Sequence, residues 1–278
     1  MKKNRLLYYL VVLLVLIFSL GPIIWCFVVS VTPESEMLKP TAGFLPTTLA
    51  LDNYAAIFDP MSKEHATVMN GLSNSLIISA ITLAMGVPIS FMTAYALARF
   101  DFKFKKIYVS LLLLTVVIPV FTTIIPVYNV YRKFNILDNT FWNCVIYVSS
   151  FLPLNTWINM NYIKEIPREL WQAGKIDGFS EWKIFTKIAV PISAPVILTT
   201  TLIMLLMSWK QYIIPMVLLS SYEHKPLTMI MSEFMSRYAI NYGMIAAIGI
   251  VSIIPPAIGA LAFRKFLISG LTSGAVKR

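Results

Sequence analysis

The sequence predicts an all-α integral membrane protein with six transmembrane helices. Of its 278 residues, 58% are hydrophobic and only 13% are charged, which leaves too little polar surface to coat a soluble protein of this size. The mean hydropathy is +0.74, and the hydrophobic residues form uncharged runs of about 20 residues or more, the length that crosses a bilayer. Because lipid offers the backbone no hydrogen-bonding partners, we expect these runs to be helices.

The six predicted spans make residues 1–278 a single transmembrane domain. They lie at about residues 6–31, 71–98, 107–131, 139–163, 191–219 and 238–263, with a cytoplasmic loop at 164–190. The first run follows basic residues, as a secretory signal does, but it is long and lacks a small-x-small cleavage site. We therefore expect it to remain in the membrane.

Both termini are predicted to lie in the cytoplasm, because lysine and arginine collect on the cytoplasmic side of membrane proteins. The termini and two alternate loops hold 16 of the 23 basic residues. These are Lys2, Lys3, Arg5, Arg99, Lys103, Lys105, Lys106, Lys164, Arg168, Lys175, Lys183, Lys187, Arg264, Lys265, Lys277 and Arg278. The net charge of +10 is thus explained by membrane topology, and we expect no nucleic-acid partner.

Prolines are expected to break four of the six spans, because proline removes a helical hydrogen bond. Broken helices can line the route through a transporter. For any single proline, the alternative is a kink that is held by neighbouring helices. The prolines concerned are Pro119 and Pro126 in the third span, Pro153 in the fourth, Pro191, Pro195 and Pro215 in the fifth, and Pro255 and Pro256 in the sixth.

The cytoplasmic loop is long enough to have structure of its own. Pro167 suits the first turn of a short helix, on which Leu170, Ala173 and Gly174 share one face. Asp177-Gly178 predicts a stop and a turn that favours positive φ, and Ser180 can cap a second helix leading into the fifth span. From the residues alone, the loop is either an amphipathic connector that rests on lipid headgroups or a surface on which a soluble partner binds and exerts force.

The loop resembles the EAA loop of ABC-importer permeases. The matching residues are Gln172-Ala-Gly-Lys-Ile-Asp-Gly, nine residues, then Ile188-Ala-Val-Pro191. Its longer form, with Ile166-Pro-x-Glu-Leu before it, is similar to the carbohydrate-uptake branch and to the shorter permease of maltose-type transporters. Further matching motifs extend this resemblance over nearly the whole chain. They are Leu45-Pro with Asn53-Tyr54, Asn74-Ser-Leu76, Ala94-Tyr-Ala-Leu-Ala-Arg-Phe100, Ile125-Pro-Val-Tyr128, Trp209-x-x-Tyr-x-x-Pro215 and Gly270-Leu-x-x-Gly-Ala-Val-Lys277.

The resemblance implies a type I ABC importer permease fold, in which the loop forms a coupling helix that docks on a cytoplasmic ATPase. The ATPase-coupling residues it indicates are Glu169, Gln172, Ala173, Gly174, Asp177, Gly178, Ile188 and Pro191. Two of them depart from the family pattern. Gln172 stands where the family usually has Glu, and Gly174 stands where it usually has the second Ala. Gln172 can still form hydrogen bonds but cannot pair ionically with a basic residue of the ATPase, so docking is expected to survive with an altered strength and salt dependence.

The partners implied by the resemblance are a second homologous permease, two ATPase subunits, an external solute-binding protein and a carbohydrate solute. The chain would lie among the lipids of a bacterial-type cell membrane. No cofactor, metal or catalytic residue is expected in the chain itself. It has no phosphate-binding loop, so ATP and Mg²⁺ would belong to the ATPase, and His65 and His224 have no ligand spacing around them.

Lys210 is the one ionisable residue inside a predicted span, where a functional role is the default hypothesis. Its long stem could instead reach the outer interface. The resemblance usually has Asn here, so the lysine leaves open an anionic solute such as a uronate oligosaccharide or a sugar phosphate. The predicted pathway residues are Trp209, Lys210, Gln211 and Tyr212. An ATP-independent secondary transporter and a membrane-embedded enzyme are the alternatives from other classes.

Overall fold

The computed structural model describes residues 2–37, 39, 43–235 and 240–273. Within these ranges the chain is mostly helical and has no β-strand, only an isolated bridge between Met235 and Ile240. The all-α prediction is therefore confirmed. Lys277, Arg278 and the side chains of Lys2, Lys3 and Lys265, which the orientation argument used, lie outside what the structure describes.

Fourteen α-helices make up the described chain. They are α1 (Lys2–Ser30), α2 (Glu34–Met37), α3 (Asp52–Phe58), α4 (Lys63–Arg99), α5 (Lys105–Val117), α6 (Val120–Lys133), α7 (Thr140–Lys164), α8 (Arg168–Ile176), α9 (Glu181–Ile184), α10 (Val190–Ile192), α11 (Ala194–Trp209), α12 (Ile213–Leu218), α13 (Leu227–Glu233) and α14 (Tyr242–Ser273). A π-helical turn covers Phe185–Ala189, and a 3₁₀ turn covers Tyr222–His224.

Three helices in the described residues are long and apolar enough to cross a membrane: α1, α4 and α14. Two bent pairs raise the number to five if each pair is one span. The first pair is α5 with α6, bent by 99°, and the second is Glu181–Ile192 with α11, bent by 75°. Helix α7 is not among them and carries three buried asparagines. The predicted number of six spans is therefore not confirmed by length and composition.

The chain divides into two compact units. The first comprises residues 1–72 and 227–255. Its core gathers apolar side chains of α3, α4, α13 and α14 around Ile57, Val68 and Ile248. Helix α1 belongs to this unit, and its apolar side chains are largely exposed, as expected of a helix whose surroundings are lipid or other membrane helices.

The second unit comprises residues 73–226 and 256–278 and contains both candidate sites. One of its cores surrounds Tyr147 and Met204, where α7 and α11 pack together. The other surrounds Tyr95, Trp171 and Ile184 and joins the end of α4 to the cytoplasmic loop. This second core fixes the position of the loop helix.

The prediction of breaks in four spans is wrong for two of them. Pro153 lies inside the uninterrupted helix α7, and Pro255 and Pro256 lie inside α14. In the described part of these spans, breaks lie at Pro119, which precedes α6, and in the fifth span around Ser193 and after Trp209. Pro126 lies inside α6. Helices in a membrane tolerate proline where neighbouring groups satisfy the freed carbonyl, so a proline does not by itself predict a break.

Candidate functional site

The loop helix α8 begins and ends where the sequence predicts. Pro167 precedes its first residue, Glu169 lies in its first turn and Lys175 in its last, charges that suit the helix dipole. After the helix ends at Ile176, Gly178 adopts a φ of 74°, as expected. The amide of Phe179 then donates to the carbonyl of Gly174 at 2.9 Å and closes the turn.

Helix α9 connects this turn to the fifth span without an unstructured linker. The Ser180 side chain accepts a hydrogen bond from the amide of Lys183 at 3.3 Å and caps the helix, as predicted. The π-helical turn, which contains Ile188, and α10, which contains Pro191, then lead to the bend at Ser193. Apart from this bend, the backbone from α9 to α11 is therefore helical throughout.

The buried side of α8 is formed by Trp171 and Gly174. A Cβ at Gly174 would lie only 2.7 Å from Ile188 Cδ1 and 3.3 Å from Ile184 Cγ1. The two segments that the sequence singles out, 172–178 and 188–191, thus meet at this glycine. Leu170 and Ala173, which were expected to share its face, are exposed, because the larger Trp171 ring occupies the buried side.

Glu181 joins three elements at the base of the loop. Its carboxylate lies 3.7 Å from the Arg99 guanidinium of α4 and 3.3 Å from Lys175 Nζ of α8. The Tyr95 hydroxyl donates to it at 3.2 Å, and the Arg99 guanidinium lies 5.6 Å from the centre of the Trp171 ring. Sequence reasoning used Arg99 for topology and as part of the Ala94–Phe100 motif, but it missed this contact, since nothing in the spacing from 99 to 181 indicates it.

The outward side of α8 is free in the described structure. Glu169, Gln172, Ala173 and Asp177 are exposed there, together with Leu170 and an 86% exposed Ile176. Isolated exposed apolar residues are ordinary. Helix α8 packs on the fold through one side and exposes apolar residues on the other. An amphipathic helix of this kind can dock into a groove of another protein.

A second candidate site is a cleft of about 450 Å³ in the same unit. Lys210 and Gln211 line it, but Trp209 and Tyr212 are not among its lining residues. The other polar lining residues are Thr115, Thr123 and Ser150. Sequence reasoning missed these three, because hydroxyl residues are common in spans and only the fold brings them together.

Neither histidine lies in a metal-ligand cluster within the described ranges. His65 Nδ1 lies 2.9 Å from the carbonyl oxygen of Ile57, and His224 Nδ1 lies 3.2 Å from Thr140 Oγ1. Both imidazoles therefore contact groups at helix ends, Ile57 near the end of α3 and Thr140 at the start of α7.

The sequence matches a known transport family and several of its curated members. The family described as "binding-protein-dependent transport system inner membrane component" matches residues 86–272. The chain is 30% identical over 268 residues to the trehalose transport system permease protein SugB of Mycobacterium tuberculosis, covering 95% of this chain and 94% of that protein. It is 29% identical to the trehalose/maltose transport system permease protein MalG of Thermococcus litoralis, covering 99% and 97%. It is also 29% identical to the arabinooligosaccharides transport system permease protein AraQ of Halalkalibacterium halodurans, covering 92% and 90%.

The solved structures that share the fold include two bacterial ABC transporters. A bacterial ABC transporter involved in the import of the acidic polysaccharide alginate matches with a TM-score of 0.76 and 21% identity, covering 95% of this chain and 98% of that chain. A bacterial alginate ABC transporter in complex with an alginate pentasaccharide-bound periplasmic protein matches with a TM-score of 0.68 and 18% identity, covering 94% and 93%.

Proposed function

Because this chain belongs to the family of binding-protein-dependent transport system inner membrane components, we propose that it is a permease subunit of an ATP-driven saccharide importer. It has a type I ABC permease fold. The observation that carries the proposal is similarity over more than nine tenths of the chain to permeases named for trehalose, maltose and arabinooligosaccharides.

ATP would be hydrolysed by two partner subunits that dock on the outward side of α8. Leu170, Ala173 and Ile176 offer them apolar surface, and Gln172 offers an amide in place of a carboxylate. Glu169 and Asp177 supply the charge at the two ends of the helix. ATP and Mg²⁺ would be bound by these subunits, so this chain takes part in transport without catalysing hydrolysis.

Movement of the ATPases would reach the membrane through the contact of Gly174 with Ile188. From Ile188 the helical path leads through Pro191 to α11. The Arg99–Glu181 pair ties the same loop to α4. One docking event can thus move two transmembrane helices together, as alternating access requires.

The solute would pass the break between α11 and α12. Lys210 and Gln211 line the cleft at this break, and we place Trp209 and Tyr212 beside the same route on the basis of their sequence positions. A second, homologous permease would complete the pathway, and an external solute-binding protein would deliver the saccharide. The likeness to an alginate transporter in complex with a periplasmic protein supports the latter partner.

In this arrangement the chain spans a bacterial cell membrane six times, with both termini in the cytoplasm. The concentration of basic residues in the loop that carries α8 supports this orientation. Helix α7, although polar in part, would be the span that length and composition do not identify, because its asparagines are buried against other helices.

The composition of the purified complex tests the proposal. Affinity purification in mild detergent is expected to yield a P-loop ATPase and a second permease together with this chain. A stable lone chain that transports a saccharide without ATP would indicate a secondary transporter instead. Chemical alteration of the saccharide by the purified complex would indicate an enzyme.

A further inference from the structure

The cleft at the helix breaks combines polar groups from helices α5, α6 and α7 and from the residues that follow α11. Thr115 and Thr123 lie on the two sides of the α5–α6 corner, and Ser150 lies on α7. Lys210 and Gln211 follow the end of α11. The volume of about 450 Å³ lies within the range of small-molecule pockets, roughly 300–1,000 Å³.

The three hydroxyl groups of the cleft can each accept a hydrogen bond from a ligand. Each donates its hydrogen to a carbonyl oxygen one turn earlier in its own helix. The bonds are Thr115 to Leu112 at 2.7 Å, Thr123 to Val120 at 3.1 Å, and Ser150 to Ile146 at 2.9 Å. A hydroxyl that has used its hydrogen retains lone pairs, so the cleft presents acceptors to the hydroxyl groups of a saccharide.

Lys210 is the only charged residue among those that line the cleft. It forms no ion pair with any carboxylate in the described ranges. The Lys210 side chain is exposed in the structure, and its three donors have no carboxylate partner among the described residues. An ammonium without a counter-charge at membrane depth is costly. A ligand that carries negative charge would remove that cost, whereas a neutral saccharide would leave it in place.

We propose that this cleft is a solute subsite for a saccharide that carries an anionic group, foremost a carboxylate, and that Lys210 Nζ binds that group. The hydroxyl groups of Thr115, Thr123 and Ser150 accept from the sugar hydroxyls. This inference rests on the proposed function and names the substrate class of its solute route.

Two structural roles of Lys210 make a different prediction. A lysine at the end of α11 can stabilise the helix C-terminus through its charge, or its stem can carry the ammonium to the membrane interface. Either role makes transport independent of the charge of the solute. Discrimination between acidic and neutral saccharides therefore separates the subsite from these roles.

The test uses the complete transporter with its binding protein in proteoliposomes. The external solution holds acidic oligosaccharides from a pectin hydrolysate or the same mixture after chemical reduction of its carboxyl groups. ATP is supplied on the side of the ATPases, and the imported sugars are identified by mass spectrometry. Both mixtures are first reduced at their reducing ends, so that they differ in the carboxylates alone.

Four variants are compared with the parent in assembly, basal ATP hydrolysis and uptake. Lys210→Met removes the charge and keeps the stem, and Lys210→Arg keeps a charge. Lys210→Asn provides a second neutral variant in case Lys210→Met does not assemble. Lys133→Met is the matched control, because it removes an exposed charge at the end of α6 outside the cleft.

Acidic oligosaccharides are expected to enter with the parent, Lys210→Arg and Lys133→Met. Both neutral variants should reduce their uptake about tenfold or more, as expected for loss of a charged hydrogen bond, without a matching loss for any neutral sugar. Three results would overturn the subsite and leave the saccharide importer intact. The parent could import only the carboxyl-reduced sugars, the neutral Lys210 variants could take up acidic sugars as well as the parent does, or these variants could lose uptake of both mixtures equally. ATP-dependent uptake of neither class would overturn the importer as well.

Discussion

Gly174 and Ile188 contact each other so closely that a Cβ at position 174 would lie 2.7 Å from Ile188 Cδ1. This contact joins the loop helix α8 to the π-helical turn that leads into the fifth span. It also accounts for the glycine where the resemblance usually has alanine, because the space of the missing methyl group is filled by isoleucine.

The first prediction concerns this contact. Gly174→Ala should weaken coupling by about 1 kcal/mol, because Ile188 must move away from the added methyl group. Combining it with Ile188→Val, which deletes Cδ1, should restore coupling. The measurement is uptake per ATP hydrolysed in proteoliposomes. If the loss of coupling in the double variant is as large as the sum of the losses in the two single variants, the close approach of these residues does not limit coupling.

The second prediction concerns Gly178, whose φ of 74° favours glycine. No neighbouring atom would obstruct a Cβ there, so the cost of a substitution comes from the backbone alone, about 1–2 kcal/mol for an L-residue. Gly178→Val should leave the chain inserted and uncouple ATP hydrolysis from uptake. Gly178→Asn is the control, since asparagine tolerates this conformation. Unchanged assembly and solute-stimulated hydrolysis in the valine variant would show that the turn is not part of the coupling element.

The third prediction concerns Glu181, which contacts Arg99, Lys175 and Tyr95. Glu181→Gln should lower coupling partially, because the carboxylate is 41% exposed and such pairs contribute about 1 kcal/mol or less. Raising the salt concentration should reduce the difference from the parent. Asp101→Asn, which removes the exposed pair with Lys105, serves as control. If Glu181→Gln and Asp101→Asn lower coupling equally, the contacts of Glu181 have no particular role in coupling.

The fourth prediction is a pH dependence at Asp138, in the loop before α7. Burial raises its pKa, but hydrogen bonds from the amides of Ser221 and Ser220, each 2.9 Å long, outweigh burial and hold the pKa below its usual value of 3.8. A lowered pKa means that stabilisation is complete above the usual value and is lost as pH falls through the folded-state pKa.

Replacing Asp138 with Asn should therefore destabilise the complex by about 1 kcal/mol at neutral pH, and by less as pH falls below 3.8. Thermal unfolding of both proteins across this range measures the difference. Asp59→Asn is a control, because Asp59 lies in another loop and accepts from the amide of Met61. A difference that grows as the pH falls would contradict the assigned role.

Local signals in the sequence predict much of the cytoplasmic loop. Gly178 and Ser180 act through their own backbone and nearest neighbours, so their roles can be inferred from the residues alone. The Arg99–Glu181 contact depends on packing across 82 positions, which no local pattern carries. The prolines show the same limit, since Pro119 precedes a helix break and Pro153 does not. Whether a proline interrupts a membrane helix depends on its neighbours in space.

The cleft shows why solute sites are hard to predict from sequence. Lys210 was noticeable as a charge in an apolar segment. Thr115, Thr123 and Ser150 became recognisable only when the 99° bend between α5 and α6 placed them at one cavity.

The most direct test of the central claim is the energy source for uptake through the complete complex in proteoliposomes. With the binding protein and saccharide outside, solute is expected to accumulate only when hydrolysable ATP reaches the ATPase subunits, and a non-hydrolysable analogue should not support it. Accumulation without ATP, driven by a proton or sodium gradient, would contradict the account.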